Sequence, residues 1–212
     1  MSTLTTLRAA LRLDLNDPVG ASARWTDADL DRAVSRAVSA YAEVLPRLQS
    51  VVLTTTAGSR IVPVTSLGTI TTILSVEWPV PVAGNTGGSP RPPWRHDEEA
   101  GSVTLVGPGV PAGEPVRIRW SGPHVVDGSG STIPEGDEAL VILGAAGHAC
   151  MAYGTPASDN FRYTDGEAGA AVDDSVIGPE WRTRADELLA RFDRDLRRLG
   201  GLRSRSVRAR LK

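Results

Sequence analysis

The sequence predicts an α+β protein: a helical bundle of about four helices with an inserted β-sandwich or small barrel-like module. In residues 1–48 and again in 133–200, apolar side chains recur at three- and four-residue steps, the period of a buried helix face. The intervening residues 49–132 carry short runs of Val, Ile, Thr and Trp separated by Gly and Pro, a pattern typical of strands. Residues 201–212 form a separate basic tail.

The first helix is short and lies near the N-terminus. Ser2 or Thr3 can cap it, and leucines at positions 4, 7 and 11 form one apolar stripe. We expect this helix to run to about Leu13, because Asn16-Asp17-Pro18 then stops it.

The second helix has a sharper start signal. Thr26 is the expected N-cap, Asp29 three residues later completes an approximate capping box, and Trp25 stands just before the cap. Leu45-Pro46 ends the helix, so we expect it to run from about Asp27 to Val44. Its apolar positions form one stripe, which ordinary core packing explains: Leu30, Ala33, Val34, Ala37, Val38, Tyr41 and Val44.

The β module is predicted to contain about five strands. The segment from Val80 to Arg95 is crowded with prolines and glycines, so we expect an exposed loop there. The expected strands are Val51–Thr56, Arg60–Val64, Ile70–Trp78, Ser102–Val106 and Val116–Trp120.

Two more helices follow the β module. Ile133-Pro134-Glu135 opens a helix from about 136 to 153, in which small residues, Gly144 and Gly147 among them, allow another backbone to approach closely. A polar loop over 154–178 leads to a last helix that starts at Pro179, contains Trp181 and ends at Gly200-Gly201.

Charge is distributed unevenly along the 212 residues. The net charge is −2, but residues 203–212 contain five basic and no acidic residues, which leaves residues 1–202 with −7. Such a tail is a solvated, flexible end, or it docks on an acidic protein surface or a nucleic acid. The single cysteine, Cys150, fits assembly in a reducing compartment, and neither an apolar run of about 18 residues nor a signal pattern is present, so we expect a soluble, unexported protein.

Strong catalytic or metal-binding motifs are absent from the sequence. His148 and Cys150 stand two apart on a predicted helix and point in different directions, so they do not chelate one ion. The acidic run 96–99 is interpreted as a solvated loop, and Gly107-Pro108-Gly109 as a turn rather than a phosphate loop. We therefore expect no catalytic residue, no cofactor, no metal and no membrane contact.

Several short motifs, in order along the chain, resemble those of tailed-bacteriophage head-tail adaptor proteins, also called head-completion or connector proteins. The resemblance begins with Arg24-Trp25-Thr26-Asp27-Ala28-Asp29-Leu30 and continues through Ala40-Tyr41 and Leu45-Pro46. Ile133-Pro134-Glu135, Ala152-Tyr153 and Glu180-Trp181 follow in the later helices. The β module is the part least covered by the resemblance.

The resemblance implies a non-enzymatic subunit of the virion neck, assembled in the host cytoplasm. Such subunits form a ring, commonly a dodecamer, between the portal protein and the tail or a stopper ring, and DNA passes through the channel without sequence-specific binding. We expect portal docking through the tail, at Leu202, Arg203, Arg205, Val207, Arg208, Arg210, Leu211 and Lys212. We expect Trp25, Leu30, Tyr41, Gly144, Gly147 and Trp181 to serve subunit packing.

Two alternatives remain open at this point. One is another neck or tail component, a tail terminator or a stopper, although the strong helix signals on both sides of the β module argue against a mostly β core. The other is a nucleic-acid-binding module that acts through the basic tail, since the body of the chain is acidic and only 5% aromatic.

Overall fold

The computed structural model describes residues 2–20, 22–78, 80, 91–107, 113–154, 162–164, 171–173 and 177–210, and over 204–210 it describes the helical backbone only. The chain forms two compact units. Residues 1–45 and 124–212 make up the helical unit, and residues 46–123 make up the β unit. Four helices and two three-stranded antiparallel sheets in the described residues confirm the α+β class.

Helix α1 spans Leu4–Leu15 and begins at the expected cap. The Thr3 hydroxyl accepts a hydrogen bond from the Thr6 amide at 3.3 Å. Asn16 ends the helix in the left-handed conformation, with φ of 50°. Asparagine tolerates this conformation better than most residues do, which explains why the helix stops there.

Helix α2 spans Asp27–Val44, as predicted, and the capping box between Thr26 and Asp29 is formed on both sides. Six of the seven predicted apolar positions, from Leu30 to Tyr41, are buried. Val44 differs, since it is 41% exposed. It lies in the last turn, where the helix leaves the core.

Helix α3 spans Glu138–Tyr153 and packs against the other three helices of its unit. A short 3-10 turn over Glu135–Asp137 precedes it. Buried residues lie on every side of α3, because a central helix has neighbours all round. The core of the helical unit is therefore built around this helix.

The β unit consists of two sheets. The first has the order β1-β6-β3 and the second the order β2-β5-β4, and all described pairs are antiparallel. One apolar cluster joins residues of both sheets, as in a small sandwich. The strands are β1 (Arg47–Thr54), β2 (Ile61–Pro63), β3 (Thr72–Glu77), β4 (Trp94–Asp97), β5 (Ser102–Leu105) and β6 (Pro115–Gly122).

Strand β4 corrects two sequence predictions. Trp94 and Arg95 belong to it rather than to the end of an exposed loop, and His96 and Asp97 pair with Val103 and Ser102 of β5 instead of forming a solvated turn. Pairing with β5 stabilises this strand although its residues have a weak local preference for β structure. Residues 81–90 of the expected loop lie outside the described residues.

The expected polar loop over 154–178 also contains regular structure. Two short strands, β7 (Arg162–Thr164) and β8 (Ala171–Asp173), pair in an antiparallel hairpin. The predicted turn at 107–109 is described only at Gly107.

The last helix, α4, spans Ile177–Arg210, and its predicted end at Gly200-Gly201 is wrong. The helix continues through both glycines and includes ten residues that we expected to lie outside it, 201–210. Its 34 residues correspond to about 51 Å. The physical reason lies in the contacts made at Gly200 and just beyond the glycine pair.

Candidate partner-binding site at the end of the C-terminal helix

Helix α4 packs closely on α3 because glycines of α3 face bulky side chains of α4. A Cβ added at Gly144 would lie 2.9 Å from Phe192, and one added at Gly147 would lie 2.8 Å from Leu189. Both distances are too short for a real side chain. These two glycines, which sequence analysis assigned to close packing, therefore support a helix contact within the chain.

The same kind of contact explains why the helix passes through Gly200. A Cβ at this position would lie 2.8 Å from Cγ1 of Val44, at the end of α2. Glycine in a helix interior costs roughly 1 kcal/mol relative to alanine, but here it lets α4 lie directly against α2. Tertiary packing therefore overrides the stop signal of the glycine pair.

Beyond the glycine pair, Arg203 attaches α4 to the body of the helical unit. Its guanidinium donates to Oδ2 of Asp137 at 2.5 Å and to the Tyr41 hydroxyl at 3.2 Å. The Tyr41 hydroxyl in turn donates a short hydrogen bond to the same carboxylate. Arg203, Asp137 and Tyr41, which we call the anchor cluster, thus join the ends of three elements.

The anchor cluster is mostly buried. Tyr41 is fully buried and the Asp137 side chain is 9% exposed, whereas the Arg203 side chain is 42% exposed. Burial, and then the hydrogen bond to Asp137, raise the pKa of Tyr41 to about 12. Tyr41 therefore stays a neutral donor, and the carboxylate receives hydrogen bonds from one neutral and one cationic group.

The remaining docking residues from the sequence prediction lie at or beyond the anchor cluster. Leu202 is exposed, and Arg205, Val207, Arg208 and Arg210 belong to the last two turns of α4. Leu211 and Lys212 lie outside the described residues. Seven helical residues follow Arg203, a length of about 10 Å. Arg203 itself is turned toward its own chain.

A shallow groove lies beside the anchor cluster, between the start of α3 and the middle of α4. Its floor is apolar, with Leu140, Leu143 and Leu199, and Arg191, Asp195 and Arg198 stand at its edge. Asp195 is 4.0 Å from both arginines, so these ion pairs are loose.

The predicted packing residues Trp25 and Trp181 meet at the opposite end of α4. Their rings lie 5.4 Å apart, and Tyr153 lies 5.4 Å from Trp25 and 5.2 Å from Trp181. Trp25 also donates to the backbone oxygen of Ala149 at 3.2 Å. Arg24 and Arg184 stack on the Trp181 ring. This aromatic cluster ties α3, α4 and the start of α2 together.

The described histidines and the cysteine form no metal-binding group, since no three of the described His, Cys, Asp and Glu side chains are arranged to hold an ion. Burial lowers the pKa of His148 and raises that of Cys150.

Asp97 accepts a hydrogen bond from the Ala100 amide, which stabilises a turn. Among the described helices none is long and apolar enough to cross a membrane.

Comparison with known proteins gives weak structural likenesses, among them two chains from gene transfer agent (GTA) particles. The chain is similar to a chain from the neck of an empty GTA particle computed with C6 symmetry, at 19% identity and a TM-score of 0.32, over 82% of this chain and 88% of that chain. It is also similar to a chain from the virion of a native gene transfer agent particle, at 20% identity and a TM-score of 0.28, over 86% of this chain and 92% of that one. No family model and no curated protein matches the chain. TM-scores this low do not establish a shared fold.

Sequence reasoning found the basic segment but missed its attachment. The sequence analysis did not single out Asp137, and it placed Tyr41 on the apolar stripe of α2 and among the packing residues without a polar partner. One signal was available in the sequence. Tyr41 lies on the buried stripe of α2, and a buried tyrosine hydroxyl needs a hydrogen-bond partner. Nothing in the sequence pattern indicates which acid or which arginine supplies it.

Proposed function

We propose that this protein is a structural subunit of a phage neck, a head-tail adaptor that forms a ring between the portal of the DNA-filled head and the tail or a stopper ring. The ring would line the DNA channel, and twelve is the copy number that the sequence resemblance implies. The observation that carries the proposal is the anchored C-terminal helix, which presents a basic end held at a defined position by Arg203.

The chain's architecture fits this role. A helical unit built from both ends of the chain contains the motifs of the resemblance, and the β unit is inserted between α2 and α3. Residues 1–202 carry a net charge of −7, so a channel formed by the body would repel DNA rather than bind it.

The basic helix end is suited to an acidic protein surface. Arg205, Arg208 and Arg210 fall within two helical turns at the end of α4. Docking a helix that is already formed avoids much of the entropy loss of ordering a flexible tail. The anchor cluster is what fixes the direction of this helix end.

The test is the mass of the purified protein by light scattering, alone and mixed with the portal ring from the same genome. We expect a many-copy complex only when the portal is present. Replacing Arg205, Arg208 and Arg210 by Gln should abolish it and preserve the helix. The matched control replaces Arg184, Arg194 and Arg197, three exposed arginines of the same helix that do not line the groove, and should leave the complex intact.

Two outcomes would contradict the proposal. A small oligomer that ignores the portal would favour another neck component, such as a stopper or a tail terminator. The other outcome is salt-sensitive binding to short duplex DNA without any portal complex. If the first triple variant loses this binding and the second keeps it, the protein is a nucleic-acid-binding module.

A further inference from the structure

The four edge strands of the β unit differ in how well they are protected against pairing with another chain. Strand β2 has only three residues and ends in Pro63, and β4 has four residues, of which Arg95 and Asp97 are charged. Strand β3 is interrupted at Leu74 by a shift in register. Short length, proline, charge and bulges are the usual devices that block an edge.

Apart from the charge of Arg47 at its start, strand β1 has none of these devices. It has eight residues in uninterrupted register with β6, from Arg47 opposite Gly122 to Thr54 opposite Pro115. Within the part of the chain that the structure describes, β6 is its one paired neighbour. Its opposite edge is therefore long and regular.

The register of β1 with β6 determines which backbone groups of β1 point toward β6 and which point away from it. The Thr55 amide donates to Glu114 across the β1–β6 pair, so alternate residues back to Arg47 also face β6. The backbone groups of Leu48, Ser50, Val52 and Thr54 consequently point away from β6. Leu48 and Val52 are 64% and 48% exposed, so two apolar residues of this strand lie at the solvent.

We propose that in the free protein β1 pairs antiparallel with β1 of a second copy of this chain. In the proposed register, Ser50 faces Ser50 of the second copy. Because the contact has twofold symmetry, Leu48 of each copy then lies directly opposite Val52 of the other copy. Every outward backbone group from 48 to 52 then has a partner. The result is a six-stranded sheet in the order β3-β6-β1-β1-β6-β3.

This inference goes beyond the proposed function and does not rest on it. A twofold contact closes on itself, whereas a ring of neighbours requires a contact between two different surfaces. The β1 pair therefore belongs to the unassembled protein, in which it covers an edge that would otherwise promote aggregation.

The register is tested by disulfide formation in the full-length chain under copper phenanthroline oxidation. With Ser50→Cys, the two Cα atoms at the twofold axis would lie about 5.5 Å apart, within the range of a disulfide. With Thr54→Cys, the same atoms would lie about 27 Å apart. We expect rapid crosslinking of the first variant only. The native Cys150 is fully buried and does not compete.

The affinity is tested by sedimentation of the unmodified chain over a wide range of concentrations. We expect a monomer–dimer equilibrium, and Leu48→Lys or Val52→Lys should weaken it about tenfold or more. Ile61→Lys, at another exposed apolar position of the β unit, is the control and should leave it unchanged. Circular dichroism establishes that each variant is folded.

A chain that is monomeric at every concentration would overturn the proposal. A dimer that the lysine variants of β1 do not weaken, or equal crosslinking of the two cysteine variants, would overturn it as well.

Discussion

Arg203 donates to Oδ2 of Asp137 across 66 positions of sequence, and this contact holds the C-terminal helix against the start of α3. The helix contains two consecutive glycines just before Arg203, where an isolated helix would be expected to fray. The contact therefore lies at the point where α4 most needs external support. It makes the basic end of α4 part of the folded unit.

Replacing Asp137 by Ala should destabilise the helical unit by about 1–3 kcal/mol, because the buried Tyr41 hydroxyl loses its acceptor and Arg203 loses its ion pair. Much of the effect should come from Tyr41, since water screens the partly exposed Arg203. The measurement is the free energy of unfolding in urea. Asp195→Ala, which removes only loose ion pairs, should change it by less than about 0.5 kcal/mol. Equal effects of the two changes would show that the anchor cluster adds no stability.

Stability should fall as the pH rises from about 10 to about 12. The pKa of Tyr41 is raised from 10.0 to about 12 in the folded chain, so in this window the unfolded chain releases a proton that the folded chain retains. The stabilisation is complete below pH 10 and is lost as the pH passes the folded pKa. The melting temperature against pH, compared between the native chain and Tyr41→Phe, measures this. If Tyr41→Phe keeps the full decrease of the melting temperature with pH, another group is responsible for the decrease.

Two glycines of the helical unit should respond in opposite ways to alanine. At Gly201 an added Cβ meets nothing within 4 Å, so Gly201→Ala should stabilise by about 0.5–1 kcal/mol through helix propensity. At Gly144 it would meet the Phe192 ring at 2.9 Å, so Gly144→Ala should destabilise by about 1–3 kcal/mol despite the same propensity gain. Urea unfolding of the two variants gives both signs. Stabilisation of both would mean that α3 and α4 are less tightly packed than the structure shows.

Glu77→Gln should weaken the β unit and leave the helical unit unchanged. The Glu77 side chain is 5% exposed and lies 3.0 Å from Arg117 and 3.3 Å from Arg119 on the neighbouring strand. Both arginines are partly exposed, so solvent reduces the loss to about 1–2 kcal/mol. Hydrogen exchange should show faster opening of β3 and β6 only. Glu98→Gln, at an exposed turn, is the control, and an equal effect there would argue against the ion pairs.

The local elements of this fold could be predicted from the sequence alone. Thr26 and Asp29 define the start of α2 because both partners of the capping box lie within one turn, and a period of 3.6 residues identifies the stripe that ends at Tyr41. The basic character of residues 203–212 is also a property of composition. None of these features depends on which parts of the chain meet in the fold.

Tertiary structure decided what depends on distant partners. Trp94–Asp97 became a strand because β5 was there to pair with it, and α4 continued past Gly200 because Val44 meets it at Gly200 and Asp137 meets it at Arg203. Local propensities amount to about 1 kcal/mol per residue, and a close helix contact together with the hydrogen bonds of the anchor cluster exceeds that. The sequence by itself therefore determined where elements begin and which faces are apolar, and packing between distant segments determined where α4 ends and how its basic end is held.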